Sequence, residues 1–247
     1  MRAILTYHSI DDSGSPVSVD EAALRRHVAW LASGAVRVVG LEDIATLADD
    51  AEAVALTFDD AFANFAERAW PLLREHALPV TLFVVSECAG GTNAWQGRDA
   101  PGIPTLPLLD WDALGRLAAE GVTLGAHGRT HADLRSVAGA ALQDEIAGSG
   151  DRIAAVTGRR PLTFAYPFGA CSPAAEAAAA RVYRCACTTE HRPLEPRENP
   201  HRLPRLDAWY FRRGGLETWG STAFRARLWA RGRLRRLRAL AATGGAP

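Results

Sequence analysis

Short apolar runs alternate along this chain with longer stretches in which apolar positions recur every third or fourth residue. The runs over 3–8, 54–58, 80–85, 121–126, 162–166 and 184–189 predict strands, and 37–40 and 202–206 predict short extended pieces. The stretches over 20–33, 41–48, 64–76, 111–120, 139–157 and 173–181 predict helices. In the first of these, Leu24, His27, Val28 and Leu31 share one helical face. Pro71, inside 64–76, has no N–H for the helical ladder and predicts a kink or a restart. A Gly/Pro-rich loop occupies 88–107. Strands alternating with helices predict a parallel α/β fold. With about seven β segments in one domain, the expectation is a distorted or incomplete (β/α) barrel rather than an open sheet. The barrel is expected over 1–208. Residues 209–247 form an Arg-rich helical extension in which Arg225, Arg227, Arg231, Arg233, Arg235, Arg236 and Arg238 interleave with apolar residues. That extension either packs across the barrel with solvated arginines or lies on a membrane or partner surface.

The 247 residues, 48% of them apolar, suffice for one sizeable core. All 28 basic residues are arginine and the formal net charge is zero, which removes the basic surplus expected of a nucleic-acid binder. Cys185 and Cys187 point to one face of a strand, while Cys88 and Cys171 stand alone. No CxxC pair is present, so buried thiols are expected rather than a zinc knot or a disulfide framework. Residues 1–12 lack a charged n-region and a long apolar h-region, and no apolar run reaches the ~20 residues of a membrane span. A cytoplasmic chain, or one already processed, is the expectation.

In parallel α/β folds chemistry collects where strands end. Polar residues follow apolar runs at Tyr7–His8, at Thr57–Asp60, at His127–His131 and at Tyr166–Gly169. Adjacent carboxylates such as Asp59 and Asp60 are costly at a strand end unless something neutralises them. His127 and His131, spaced by four, fall on one face of a helical turn and can grip one metal ion. Asp60, His127 and His131 then make a two-His, one-carboxylate set that leaves positions open for water and substrate, with Asp59 beside it as general base. On the residues alone, two capping aspartates and two surface histidines remain the other reading.

The run Thr57-Phe58-Asp59-Asp60, followed by His127-x-x-Thr130-His131, resembles the polysaccharide deacetylase family, the carbohydrate esterases with a NodB-homology domain. That family pairs a TFDD motif with an H-S/T-x-x-H motif in this order. Its third motif, R-x-P-Y/F, aligns with Ala165-Tyr166-Pro167-Phe168. The resemblance spans 4–207. It implies a distorted barrel that hydrolyses N-acetyl groups from amino sugars of an oligo- or polysaccharide with one divalent ion, Zn first, Co or Mn as alternatives. Asp59 matches the catalytic base, and Asp60, His127 and His131 match the metal ligands. The Phe168 backbone N–H matches the oxyanion donor, and Tyr166 and Pro167 fall to substrate binding. Trp95, in the Gly-rich loop, is a candidate to stack on a sugar ring; anchoring its loop in the core is the other reading.

Departures from the pattern shape the expectations further. Ala61 stands where the family has Gly, Gly128 where it has Ser or Thr, and Ala165 where it has the Arg that tethers the catalytic Asp. The late D-x-x-D-W and L-x-H motifs are missing. Those absences place the chain nearer the branch similar to poly-N-acetylglucosamine deacetylases, whose early strand ends in Tyr-His as Tyr7–His8 does here. By that likeness His8 is the general acid, with His191 and His201 as other candidates. For the missing tether, alternation puts Arg205 and Leu203 on one face of the last extended segment, so Arg205 is expected to reach Asp59, with Arg129 as the rival. Two other functions remain open: deacylation of a small amino-sugar or other amide in a biosynthetic pathway, and a non-catalytic carbohydrate-binding domain.

Overall fold

Every residue of β1 (Arg2–Tyr7) and β5 (Ala53–Phe58) is buried, as befits parallel strands covered on both faces. The computed structural model describes residues 1–243, with side chains through Leu234. The remaining strands are β2 (Ser9–Ile10), β3 (Ser18–Val19), β4 (Arg37–Val39), β6 (Val80–Val84), β7 (Thr123–Ala126), β8 (Thr163–Ala165), β9 (Cys185–Cys187) and β10 (Leu206–Asp207). They alternate with α1 (Glu21–Ala32), α2 (Leu41–Ile44), α3 (Trp70–Glu75), α4 (Trp111–Ala119), α5 (Gly139–Gln143), α6 (Ser149–Thr157), α7 (Pro173–Ala180) and α8 (Thr222–Thr243). The main sheet runs β10-β1-β5-β6-β7-β8-β9, with β4 sharing an edge of β5 and all pairs parallel. Leu203 bridges to Cys187 on β9 while Leu206 pairs with Leu5 on β1, so the segment 203–207 spans the two edges of the curled sheet. The fold is a distorted (β/α) barrel in one domain.

Four local features depart from the expected elements. The last extended piece pairs at 206–207, because Pro204 cannot donate to a ladder and the contact with β9 shrinks to the single bridge at Leu203. The β2–β3 ribbon was not expected; hydrogen bonds hold it, with the Ser18 hydroxyl donating to Asp11 (2.9 Å) and the Ile10 N–H to Asn64 Oδ1 (3.1 Å). Ahead of Pro71 the helix widens into a π turn, Phe65–Ala69, in which Trp70 N–H reaches back to Phe65. A second π turn, Asp144–Gly148, separates α5 from α6.

The core has two layers. Leu5, Leu56, Phe58, Leu82 and Phe164 face the helices, while Ile4, Ala53, Ala55, Phe83, Ala165, Cys185 and Cys187 fill the barrel. The interior is narrow enough to need small residues: a Cβ on Gly125 would lie 2.5 Å from the Phe83 ring. Cys185 and Cys187 are buried free thiols. Beyond residue 208, Phe211, Leu216, Phe224 and Leu228 join the outer core. Trp229 is 64% exposed, and the side chains of Arg235, Arg236 and Arg238 lie outside the described residues. Among the described residues no helix is long and apolar enough to cross a membrane.

Candidate metal and catalytic site

Strand alternation brings the site together. The inward series Ala53, Ala55, Thr57 on β5 continues to Asp59, Gly125 on β7 to His127, Ile4 on β1 to His8, and Leu203 to Arg205. All four polar side chains therefore emerge at the mouth where the strands end. The backbone there is unusual: Asp60 (φ 71°), Ala61 (57°), His131 (59°) and Phe168 (58°) sit in the left-handed region without being glycine. Such conformations cost of order 1–3 kcal/mol each and cluster at functional sites. Gly128 has φ 77°, and a Cβ there would stand 3.1 Å from Glu145 Oε2, which accounts for glycine at this position.

Asp60, His127 and His131 are all buried, and one potential ligand atom from each lies within 4.8 Å of the others. Asp60 Oδ1 is 3.4 Å from Nε2 of both histidines. His127 Nδ1 donates to the Ala165 carbonyl at 2.7 Å, which leaves its Nε2 lone pair aimed at the carboxylate. Asp60 Oδ1 is buried and has no hydrogen-bond donor among the described residues. A buried carboxylate oxygen facing two imidazole nitrogens is the donor set that a divalent cation satisfies, so the residues present fit one. Without a cation, burial disfavours the His127 imidazolium, but Asp60 and Asp59 outweigh burial and raise its pKa. Burial, reinforced by neighbouring His127 and opposed by Asp60, lowers His131 to about 4, which keeps it a neutral ligand.

Asp59 stands next to this group. Arg205 grips it bidentately, Nη1 to Oδ1 at 2.6 Å and Nη2 to Oδ2 at 2.7 Å. Arg205 is only 1% exposed and is itself fixed by Nε donating to the Thr188 carbonyl (3.0 Å) and Nη1 to Thr57 Oγ1 (3.3 Å). Burial pushes the Asp59 carboxyl up, yet Arg205, helped by His127 and His8, holds it well below the usual carboxylate range. Arg129 lies elsewhere, donating to Glu87 (3.1 Å) and to Asp144 at the surface. His8 Nε2 is 3.7 Å from Asp59 Oδ2, and the ring lines the cavity. His201 is engaged at the Tyr183 carbonyl and His191 accepts from the Asp207 N–H; neither lines that cavity.

The cavity, about 110 Å³, is also walled by Val17, Trp95, Ile103, Phe168 and Thr189. Of the two residues expected at the substrate, Tyr166 lines the cavity, with its hydroxyl donating to the His201 carbonyl at 3.0 Å, whereas Pro167 is buried beside it. The exposed apolar group of that motif is Phe168, at 59%. Trp95 does line the cavity, but its ring stacks on His131 at 4.2 Å. Sequence reasoning missed Glu145. From the π turn, its Oε2 accepts the N–H groups of Arg129 (2.8 Å) and Thr130 (3.1 Å), and its Oε1 accepts the Thr130 hydroxyl (2.6 Å). One buried carboxylate thus holds the loop between His127 and His131.

The family description "Polysaccharide deacetylase" matches residues 47–184, more than half of the chain. The chain belongs to the polysaccharide deacetylase family. Its likeness to YxkH of Bacillus subtilis is 22% identity over 193 residues, covering 76% of this chain and 64% of that protein. Among solved structures, IcaB from Ammonifex degensii superposes with a TM-score of 0.69 at 18% identity, over 85% of this chain and 94% of that one. The Streptococcus pyogenes deacetylase PplD, solved with acetate, gives 0.70 at 19% identity over 83% and 91%. BC0361, a polysaccharide deacetylase from Bacillus cereus, gives 0.68 at 19% identity over 84% and 64%. The chain thus spans slightly under two thirds of YxkH and of BC0361. At these identities the structures establish a shared fold.

Proposed function

We propose that this chain is a metal-dependent hydrolase that removes N-acetyl groups from N-acetylated amino sugars of an oligo- or polysaccharide. One observation carries the reading: a buried Asp60–His127–His131 group adjoins an Asp59 carboxylate clamped by Arg205, at the floor of a cavity in a polysaccharide deacetylase fold. Asp60, His127 and His131 would hold the ion, with Zn, Co or Mn as candidates. A divalent ion there supplies Lewis acidity, making an attacking water more acidic and drawing electrons from the acyl carbonyl.

The chain's own groups do the rest. Asp59 accepts the water proton; its clamp keeps the carboxylate ionised and fixed, and a base displaced by ~1 Å can lose ~100-fold in rate. The Phe168 backbone N–H, presented by its left-handed φ, donates to the developing oxyanion. His8 gives a proton to the departing amine, and its proximity to Asp59 lets the proton taken from water replace it. The products are acetate and a free amine. The test is acetate release from chitooligosaccharides, poly-N-acetylglucosamine and nucleotide-linked N-acetylglucosamine, with chelator and after adding back Zn, Co or Mn. Chelator-sensitive release from a polymer supports the reading. Release from the nucleotide sugar alone moves the substrate to a small molecule, and no release with any metal removes the enzymatic reading.

A further inference from the structure

The two histidines of the metal site are held differently. A metal-bound imidazole is usually oriented by its far nitrogen donating to an oxygen. His127 follows that rule, through Ala165. His131 does not: its Nδ1 is buried and has no hydrogen-bond partner among the described residues. Aromatic rings enclose it instead. Trp95 lies face to face with it at 4.2 Å and 23°, Phe168 meets it edge-on at 4.4 Å and 70°, and His127 at 5.0 Å and 72°. The loop that carries Trp95 is braced for this. Buried Asn93 accepts the Leu106 N–H at 2.7 Å and donates to the Pro104 carbonyl at 3.0 Å, pinching the loop shut on either side of the indole.

We infer that Trp95 is a positioning residue for His131: its indole face, with the Phe168 edge, sets the imidazole plane in place of the hydrogen bond that Nδ1 lacks. The inference rests on the reading that Asp60, His127 and His131 hold a divalent ion. It replaces the expectation that Trp95 stacks on sugar, because the indole face turned to the cavity floor is already covered by His131. An aromatic ring at 95 should therefore govern metal affinity and ligand-field geometry.

The test uses the full chain and Co²⁺. Affinity is measured by competition with a chromophoric chelator, and the visible spectrum is recorded, for wild type, Trp95→Phe, Trp95→Leu and Trp95→Ala. Loss of a group that orients a ligand typically weakens metal binding ~10–100-fold, and that loss is expected for Trp95→Ala and Trp95→Leu with an altered Co²⁺ spectrum. Trp95→Phe, which keeps a stacking face, should restore both. With Co²⁺ saturating, KM for chitooligosaccharide should stay at the wild-type value. Trp95→Leu fills the loop without an aromatic face, so it gives the answer should Trp95→Ala fail to fold. Wild-type Co²⁺ affinity and spectrum in the Leu variant overturn the inference, and a raised KM in that variant makes Trp95 a sugar contact. A wild-type chain that takes up no Co²⁺ overturns the metal site itself, and this inference with it.

Discussion

Arg205→Ala isolates the clamp on Asp59. Arg205 and Asp59 are 1% and 2% exposed, and two charge-assisted hydrogen bonds join them. Removing one partner of a buried ion pair leaves the other charge uncompensated and destabilises by about 3–5 kcal/mol. For a domain of this size each kcal/mol moves Tm by roughly 2–4 °C, so the expected drop at pH 7.5 is roughly 6–20 °C. The pH dependence carries the sharper signature. In the wild type the folded Asp59 pKa is depressed, so its stabilisation is present above the unfolded value of about 3.9 and is lost only as pH falls through the folded one. In the variant only burial, His8 and His127 act on Asp59, and burial favours the protonated acid. Lowering the pH toward 4.5 then shifts the stranded carboxylate toward its protonated form, and the deficit relative to wild type should shrink. Thermal unfolding followed by circular dichroism at both pH values, in chelator so that no bound metal contributes, decides this. A deficit under roughly 3 °C at pH 7.5, or one of equal size at pH 4.5, refutes the reasoning.

Other expectations follow from single contacts. Glu145→Ala removes the acceptor for both backbone N–H groups and should weaken metal binding ~10–100-fold, read by Co²⁺ titration; unchanged affinity makes Glu145 a structural group only. Gly125→Ala drives a Cβ into the Phe83 ring, which lies under Arg205 at 5.7 Å, and should cost about 1–3 kcal/mol in denaturant unfolding. No acidic residue follows Glu217, Trp229 is exposed, and Arg233 stacks on it at 4.6 Å, so the full chain should co-sediment with anionic vesicles at low salt. Equal sedimentation with neutral vesicles, or none, removes a membrane role for this helix.

The barrel was legible because short apolar runs alternate with helices of repeat three to four, and alternation from Leu203 predicted that Arg205 would reach Asp59. Arg205 shows how far strand alternation reaches. Its face could be read from Leu203, and its partner from the absence of an arginine at Ala165. Glu145 shows where it stops. It sits on a helical stretch among Gln143, Asp144 and other polar residues, and nothing in its spacing separates a buried acceptor from a solvated acid. Only the π turn aims it at the Thr130 backbone. The Trp95–His131 stack was hidden for a related reason, since a tryptophan in a Gly/Pro-rich loop has no periodicity to say which ring it meets. The left-handed φ of Asp60, His131 and Phe168 was equally hidden, because non-glycine residues carry no mark of it.

The central claim assigns different tasks to two adjacent carboxylates, and one paired measurement separates them. Asp59→Asn and Asp60→Asn are each assayed for bound metal after dialysis against Zn²⁺ and for acetate released from the best polymer found. Asp59→Asn should keep metal near the wild-type stoichiometry while turnover falls ~10²–10⁴-fold, as loss of a general base does. Asp60→Asn should lose the metal and turnover together. Wild-type acetate release by Asp59→Asn, or full metal retention by Asp60→Asn, contradicts the account.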